Sequence, residues 1–399
     1  MVLEIRPAKE EEMEQFVHIA STSLVMKPAS FIAMRPEFTL CAFEDGKLAT
    51  SYAAWPLIMR FNGEGVPVAA VTSVGTLPVY RRRGYLRQIT GTHFNLLHEQ
   101  GERAIAILLA SRATIYQRYG YSIVSTWHFY NVEPRYLEFS LPHPVRGTFR
   151  ELSNDEFPVL VDLYRRFRTN RTGYLHRGRE MWEAGVLAPP PAGAQLNKVV
   201  YQEAEEPLGY VIYTVQPQPE SGPGPDQRLY IRDFIWLTTS AYRAVWNYFA
   251  NMDLVGSIVW GRVPSDDPLP YLLLEPRMLR ITFSDGLLGR IVDVERALPQ
   301  RHYDEEGILT FELVDDDLCP WNNGRWKLET SKDKSLANRT TEEPQLVMPV
   351  STLAMLLFGQ LSASQAARMG RLDVHKEDAL SLWDRVMSTQ YRPACPDMF

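Results

Sequence analysis

The chain has 399 residues, 45% of them apolar and 23% charged, enough for two or three domains that each bury a core. A net charge of −6 argues against a general nucleic-acid binder, which is usually basic, and suits a cationic substrate. Cys41, Cys319 and Cys395 are widely spaced, with no CxxC and no Cys/His spacing for zinc, so a reduced protein without a metal is expected.

The first section, residues 1–134, mixes strands and helices. IRPAKEEEMEQFVHIASTSL reads as a strand and then an amphipathic helix, with Glu10–Glu12 a solvated helix start and not part of a signal peptide. TLCAFEDGKLATSYAAWPL reads as a hairpin turning at Asp45-Gly46. A strand over Pro67 to Thr76 precedes a helix over Gly84 to Gln100, in which Leu86, Ile89, His93, Leu96 and Leu97 recur at helical spacing. AIAILLA (Ala104 to Ala110) has the composition of a buried parallel strand, and TWHFYNV (Thr126 to Val132) reads as another.

The proline-bearing EPRYLEFSLPHPVRGT connects to a second section, residues 150–268. It holds a hairpin (VVYQEAEEPLGYVIYTV), two proline-rich loops (APPPAGA and QPQPESGPGPDQ) and the run IRDFIWLTTSAYRAVWNYFANMDLVGSIVWG. That run repeats the strand-helix-strand layout of Val71 to Ala110, but LTTSAYRA stands where LPVYRRRGYLRQ stood, so it reads as a degenerate second copy. The third section, residues 269–399, offers the strands RIVDVERAL, GILTFELVDD and GRWKLETS, the helical stretch VSTLAMLLFGQLSASQAARMGRLD, and an extended tail, YRPACPDMF. No apolar run, LAMLLFGQL included, reaches membrane-helix length, so a soluble, cytoplasmic protein with no membrane partner is expected.

The stretch VTSVGTLPVYRRRGYLRQI passes from a β-branched strand to three arginines and a glycine. A strand ending in successive backbone N–H groups at a helix N-terminus is an anion site, where amides and the helix dipole favour phosphate. Gly84 permits close approach, and Arg81, Arg82 and Arg83 can add charge-assisted bonds. A basic helix start on a solvated surface is the other reading of these residues.

The same stretch resembles the acetyl-CoA signature of the GNAT N-acetyltransferases, a strand, a proline and Arg-x-x-Gly-x-(Gly/Ala) opening a helix, matched here by Arg81, Gly84 and Leu86. Leu86 departs from the small residue usual at the last position. With IYQRYGYSIVS (Ile115 to Ser125), FGQLSASQAARMGRLD (Phe358 to Asp373) and the final Phe399, the chain resembles the Eis-like (enhanced intracellular survival) branch of that superfamily. The resemblance implies an α/β protein of two tandem GNAT folds, the second degenerate, followed by a sterol-carrier-like α/β domain.

It also implies chemistry. The co-substrate is acetyl-CoA, with a backbone N–H near Ser73, Val74 or Gly75 for the thioester oxygen, and Arg81, Arg82, Arg83, Gly84, Tyr85 and Leu86 around the phosphates. Tyr121, last of Tyr119-Gly120-Tyr121, is the general acid; an ordinary tyrosine, with pKa near ~10, is protonated at neutral pH. The Phe399 carboxylate is the general base, reached by a tail in which Met398 and Phe399 are apolar anchors and Asp397 adds negative charge for a cationic amine; the alternative is a frayed terminus. Met398 departs from the acidic penultimate residue frequent in the family. The implied substrate is a primary amine of a cationic small molecule, aminoglycoside- or polyamine-like, and the implied assembly a homo-oligomer, a hexamer of three dimers.

Other residues carry weaker expectations. Tyr116, Tyr119 and His93 read as packing, and His128 as a residue beside Trp127 that could face a substrate cleft. Phe31, Met34 and Trp55 suit a core or an aromatic cavity wall. No GxSxG elbow is present, consistent with direct transfer that needs no covalent intermediate. Two alternatives follow from the family: a lipid or sterol carrier whose GNAT domain is inactive, and a transferase of a longer acyl chain.

Overall fold

A computed structural model describes residues 2–144, 146–217 and 226–399. The chain is mixed α/β and divides into two compact units. One comprises residues through Ser125, Gly286–Gln390 and Phe399; the other comprises Thr126–Asp285 and Tyr391–Met398. Among the described residues no helix is long and apolar enough to cross a membrane, and no group of three or more His, Cys, Asp or Glu could hold a metal ion.

The first unit is built on a seven-stranded sheet in the order Leu3–Arg6, Cys41–Glu44, Lys47–Phe61, Glu64–Thr76, Ile105–Leu109, Leu287–Ile291, Ser122–Ile123. The Asp45-Gly46 hairpin forms with both residues at positive φ (48° and 76°), the conformation a two-residue turn between right-twisted strands requires. Strands Glu64–Thr76 and Ile105–Leu109 are parallel, joined by the helix Tyr85–Gln100. That helix buries Tyr85, Ile89, His93, Phe94 and Leu97, whereas Leu96 is 38% exposed. The apolar stripe is thus turned by one residue from the spacing read in sequence, because Phe94, not Leu96, points inward. A second sheet of five strands in the same unit runs Leu336–Arg339, Gly324–Thr330, Gly307–Val314, Leu346–Pro349, Asp373–Val374.

The second unit is built on another seven-stranded sheet: Thr282–Asp285, Thr126–Val132, Val255–Pro264, Gln227–Trp236, Glu206–Pro217, Gln195–Glu203, Thr148–Glu151. Strands Gln227–Trp236 and Val255–Pro264 are parallel and flank the helix Thr239–Ala250, repeating the strand-helix-strand order of the first unit. Phe234, Tyr242, Trp246 and Trp260 form an aromatic core beneath that helix. Residues 218–225, most of the second proline-rich loop, lie outside the described residues.

Two strands fall elsewhere than the section boundaries at 134 and 269 suggest. Thr126–Val132 pairs with Val255–Pro264 and Thr282–Asp285 in the second unit. Leu287–Ile291 pairs with Ile105–Leu109 and Ser122–Ile123 in the first. Ser125 fixes the entry of this later strand: its carbonyl accepts from the Gly286 amide at 3.0 Å and its hydroxyl from the Leu287 amide at 2.8 Å. An alternating pattern announces a strand but not the sheet it joins. RIVDVERAL accordingly splits: the strand stops at Ile291, and Asp293 caps the short helix Val294–Ala297 by accepting from the Arg296 amide. The long C-terminal helical stretch divides at Gly359 (φ 81°) into Val350–Phe358 and Ala363–Arg368, the latter opened by a capping box of Ser362 and Gln365.

Candidate active site

The central strand Glu64–Thr76 is irregular where the site forms. It pairs with Ile105–Leu109 only over Ala69, Ala70 and Val71, so from Thr72 onward that side of the strand is unpaired. On its other side Ala53 faces Thr72 and Ser51 faces Gly75, which leaves Ser73 and Val74 opposite the single residue Tyr52. This is a β-bulge, and its extra residue leaves the ladder and turns the backbone. Ser73 adopts φ 55° in a buried position, a conformation that costs a serine about 1–3 kcal/mol and persists only where the surroundings enforce it. The enforcement is visible: the Ser51 hydroxyl donates to the Ser73 carbonyl at 2.8 Å. Gly75 is required by space, since a Cβ there would lie 2.7 Å from Ser23 Cβ.

Beyond the strand, Pro78–Tyr80 makes one turn and the chain reaches the arginines. Arg82 (φ 64°) and Gly84 (φ 81°) are both left-handed, and Gly84 is the N-cap of Tyr85–Gln100. No side chain caps that helix, and a Cβ at Gly84 would meet nothing. An uncapped 16-residue helix facing open space is a fitting anion cradle. The equivalent helix of the second unit differs: the Thr238 side chain accepts from the Ala241 amide and closes its N-terminus.

The arginines are not equivalent. Arg81 Nε donates to the Thr76 carbonyl at 3.0 Å, tying the loop to the strand end. Arg83 Nη1 holds both Glu44 carboxylate oxygens at 2.5 and 2.7 Å, and the Tyr85 hydroxyl donates to the same carboxylate. Arg82 is exposed, and its guanidinium has no hydrogen bond or ion pair to another described residue. Leu86 is half-buried one residue into the helix.

The Tyr119-Gly120-Tyr121 triplet turns out of the short helix Ala113–Gln117 into the strand Ser122–Ile123. Gly120 has φ 80°, and Arg290 Cζ lies only 2.9 Å from where its Cβ would be. Tyr121 is 2% exposed, its ring against Phe94 and Tyr116, and its hydroxyl has no hydrogen-bond partner. Burial pushes that hydroxyl's pKa well up, with the Arg290 cation opposing, so Tyr121 is protonated at neutral pH. Tyr116, pushed up to about 12 by burial, and Tyr119 pack in the same cluster. His93 sits 2.7 Å from the Tyr52 hydroxyl, and burial lowers its pKa to about 4, so the ring is neutral. Phe31 and Met34 are core residues, with Trp55 packed against them and 5.2 Å from Phe38. His128 lies in the second unit, on the strand Thr126–Val132.

Phe399 belongs to the first unit, and its carbonyl oxygen accepts from Thr72 Oγ1 at 3.1 Å, at the first unpaired residue of the central strand. Tyr391–Met398 belong to the second unit and form neither helix nor strand, as their prolines imply. There the Ala394 amide donates to the Thr172 carbonyl at 3.0 Å and Trp127 Nε1 to the Cys395 carbonyl at 3.2 Å. The two expectations for the tail reverse. Met398 is 57% exposed and anchors nothing, whereas Asp397 is buried against Arg177 Nε at 2.7 Å and accepts from the Tyr164 hydroxyl at 3.2 Å. Arg177 also holds Asp233 at 2.5 Å, so the Asp397 charge is spent inside the second unit and not offered to an amine. Sequence reading had no signal for Thr72 or Arg290, whose neighbours are remote in the chain.

Residues 4–124 and 173–291 each match an acetyltransferase (GNAT) domain, and residues 294–396 match a sterol carrier protein domain. An uncharacterized N-acetyltransferase of Streptomyces avermitilis is 29% identical over 100% of this chain and 99% of its own length. The N-acetyltransferase Eis of Mycobacterium tuberculosis is 28% identical over 84% of this chain and 81% of its own. The crystal structure of Eis1 from Mycobacterium abscessus superposes with a TM-score of 0.83 at 27% identity, covering 100% of both chains. Two GNAT domains followed in the chain by a sterol carrier domain, with relatives that include Eis, place this chain in the Eis-like family of GNAT N-acetyltransferases.

Proposed function

We propose that the first GNAT domain is the catalytic one, and that it transfers the acetyl group of acetyl-CoA directly to a primary amine of a cationic small molecule, aminoglycoside- or polyamine-like. The observation that carries this reading is Tyr121, a buried, protonated hydroxyl with no internal partner, in the unit whose helix N-terminus is open. A buried donor left unpaired costs free energy, which an incoming acceptor would recover.

Acetyl-CoA supplies the activated acyl group. The amides of the Arg82–Gly84 loop and the exposed Arg82 guanidinium would bind its phosphates, with Arg81 and Arg83 shaping the loop through Thr76 and Glu44. The bulge at Ser73, Val74 and Gly75 would direct a backbone N–H at the thioester oxygen, a fixed dipole that needs no reorganisation as charge develops. The amine nitrogen forms a bond to the carbonyl carbon as the carbon–sulfur bond breaks. Tyr121 gives its proton to the departing sulfur. Phe399, as a terminal carboxylate steadied by Thr72, takes the proton from the attacking amine, directly or through water. The net charge of −6 favours a cationic partner. Assembly as a homo-oligomer, a hexamer of three dimers, belongs to the same reading and rests on the family resemblance.

The test is free-thiol release from acetyl-CoA over a panel of spermidine, kanamycin and a peptide with a free N-terminal amine. Release that depends on one amine class supports the reading and identifies the substrate type. Silence despite acetyl-CoA binding removes the proposed amines; silence without binding removes the enzyme reading in favour of a lipid carrier.

A further inference from the structure

We propose that Arg290 is a positioning residue for Tyr121: its buried guanidinium shapes the Tyr119–Tyr121 turn and holds a positive charge beside the hydroxyl as the proton leaves. The proposal rests on the reading of Tyr121 as the general acid.

Arg290 lies 170 residues from Gly120 in no motif, yet the sheet brings their neighbourhoods together. Strand Leu287–Ile291 pairs antiparallel with Ser122–Ile123, Leu288 opposite Ile123 and Gly289 opposite Ser122, so Arg290 follows directly on the rung next to Tyr121 in the chain. Its Cζ lies 2.9 Å from the absent Cβ of Gly120 and 5.2 Å from the Phe94 ring centre. Tyr121 packs on that same ring at 6.1 Å. Glycine at 120 therefore answers two demands, a left-handed turn and room for a guanidinium.

The cation is itself held firmly. Arg290 is 0% exposed; Nη2 donates to Asp316 Oδ1 at 2.5 Å and Nη1 to the Ile291 carbonyl at 3.0 Å, while Nε has no partner. Asp316 also accepts from the Cys319 amide at 3.1 Å and from Asn322 Nδ2 at 3.0 Å, which fixes the carboxylate that fixes the arginine. A buried ion pair is a weak device for stability, since apolar replacement is often neutral or better. Its placement behind Tyr121 suggests another use.

The ionisable groups that act on Tyr121 are Tyr52 from the strand Lys47–Phe61, Tyr116 from the preceding helix, Cys319 and Arg290. Burial raises the first three, Tyr116 and Cys319 to about 12, so they are neutral at pH 7 and Arg290 is the charged one. When Tyr121 transfers its proton, the O–H bond breaks, an S–H bond forms on the CoA thiol, and the negative charge moves to a phenolate oxygen in an apolar setting. Arg290 offsets that charge until the phenolate regains a proton from solvent. Without it the developing charge would meet only desolvation.

The experiment places trifluorotyrosine, whose hydroxyl titrates lower than tyrosine's, at position 121 of the full chain and follows its 19F resonance against pH. Arg290→Gln should raise the midpoint by at least ~1 pH unit, the effect of removing a nearby opposite charge, and Arg290→Lys should stay near the parent. If Arg290→Gln fails to fold because Asp316 is left unpaired, the double variant Arg290→Gln/Asp316→Asn carries the test with no stranded charge. An unchanged midpoint overturns the proposal. Turnover with acetyl-CoA and kanamycin or spermidine separates the two readings. If Tyr121→Phe is slow but the arginine variants leave the midpoint unmoved, this proposal alone falls. If Tyr121→Phe turns over normally, the acid reading falls and takes this one with it.

Discussion

Thr72 donates its hydroxyl to the Phe399 carbonyl oxygen at 3.1 Å, from the first residue of the central strand that the neighbouring strand no longer pairs. The ladder opens there and a bulge follows at once at Ser73, so one side chain on the strand lies where two proposed functions meet, the oxyanion backbone and the base. Thr72→Val keeps the shape and removes the donor. Turnover should fall about tenfold, the worth of one hydrogen bond to a charged group, with the KM for acetyl-CoA unchanged. Unaltered steady-state kinetics would mean that Thr72 does not steady the base.

Appending a short Gly-Ser extension after Phe399 moves the carboxylate away without touching any other side chain. Turnover should drop ~10²–10⁴-fold, the usual contribution of positioned proton transfer, while acetyl-CoA affinity by calorimetry stays the same. Full activity in the extended protein would dismiss the terminal base.

Tyr121→Phe removes only a hydroxyl that has no internal partner. No hydrogen bond is lost, so the melting temperature should hold or rise slightly, and turnover should fall ~10²–10⁴-fold. Tyr116→Phe, in the same cluster, should leave turnover near the parent value. Equal losses in the two variants would assign the effect to packing.

The two outer arginines of the loop are engaged by protein acceptors and Arg82 is not. Arg82→Ala should raise the KM for acetyl-CoA about tenfold through a lost charge-assisted contact of roughly 1.5 kcal/mol. Raising the salt concentration should narrow that difference, since exposed charges are screened. Arg83→Ala should change the same KM less than Arg82→Ala, because its guanidinium is turned to Glu44. A larger effect from Arg83→Ala would mean that the Glu44 pair opens to admit the phosphates.

Local signals were legible where one short stretch carries the whole device. The arginines and Gly84, the tyrosine triplet and the Asp45-Gly46 turn depend on φ angles and side chains within a few residues, so sequence displayed them directly. Thr126–Val132 and Leu287–Ile291 were legible as strands but not as members of particular sheets, because hydrophobic alternation is the same in either. Arg290 escaped for a related reason: nothing in RIVDVERAL says that its first residue will be buried beside a tyrosine. The tail misled on Asp397, since an exposed acid and an acid paired to Arg177 look alike until the partner is located.

Asp267 gives the second unit a pH dependence of its own. Its carboxylate is buried and accepts from the hydroxyls of Tyr130 at 3.1 Å and Tyr242 at 2.8 Å and from the Leu269 amide at 3.1 Å. Burial outweighs these donors and raises its pKa to about 7. A raised carboxylate pKa means the folded state binds the proton more tightly than the unfolded chain. Its stabilising contribution is complete below the unfolded pKa near ~3.9 and is lost as pH rises through about 7. Asp267→Asn has nothing to titrate there, though it loses acceptor strength toward two tyrosines. Urea unfolding followed by tryptophan fluorescence should therefore show the parent's advantage over Asp267→Asn shrinking between pH 4.5 and pH 8. A constant difference across that range would mean that Asp267 is ionised in the fold throughout, held by Tyr130 and Tyr242 more strongly than burial opposes it.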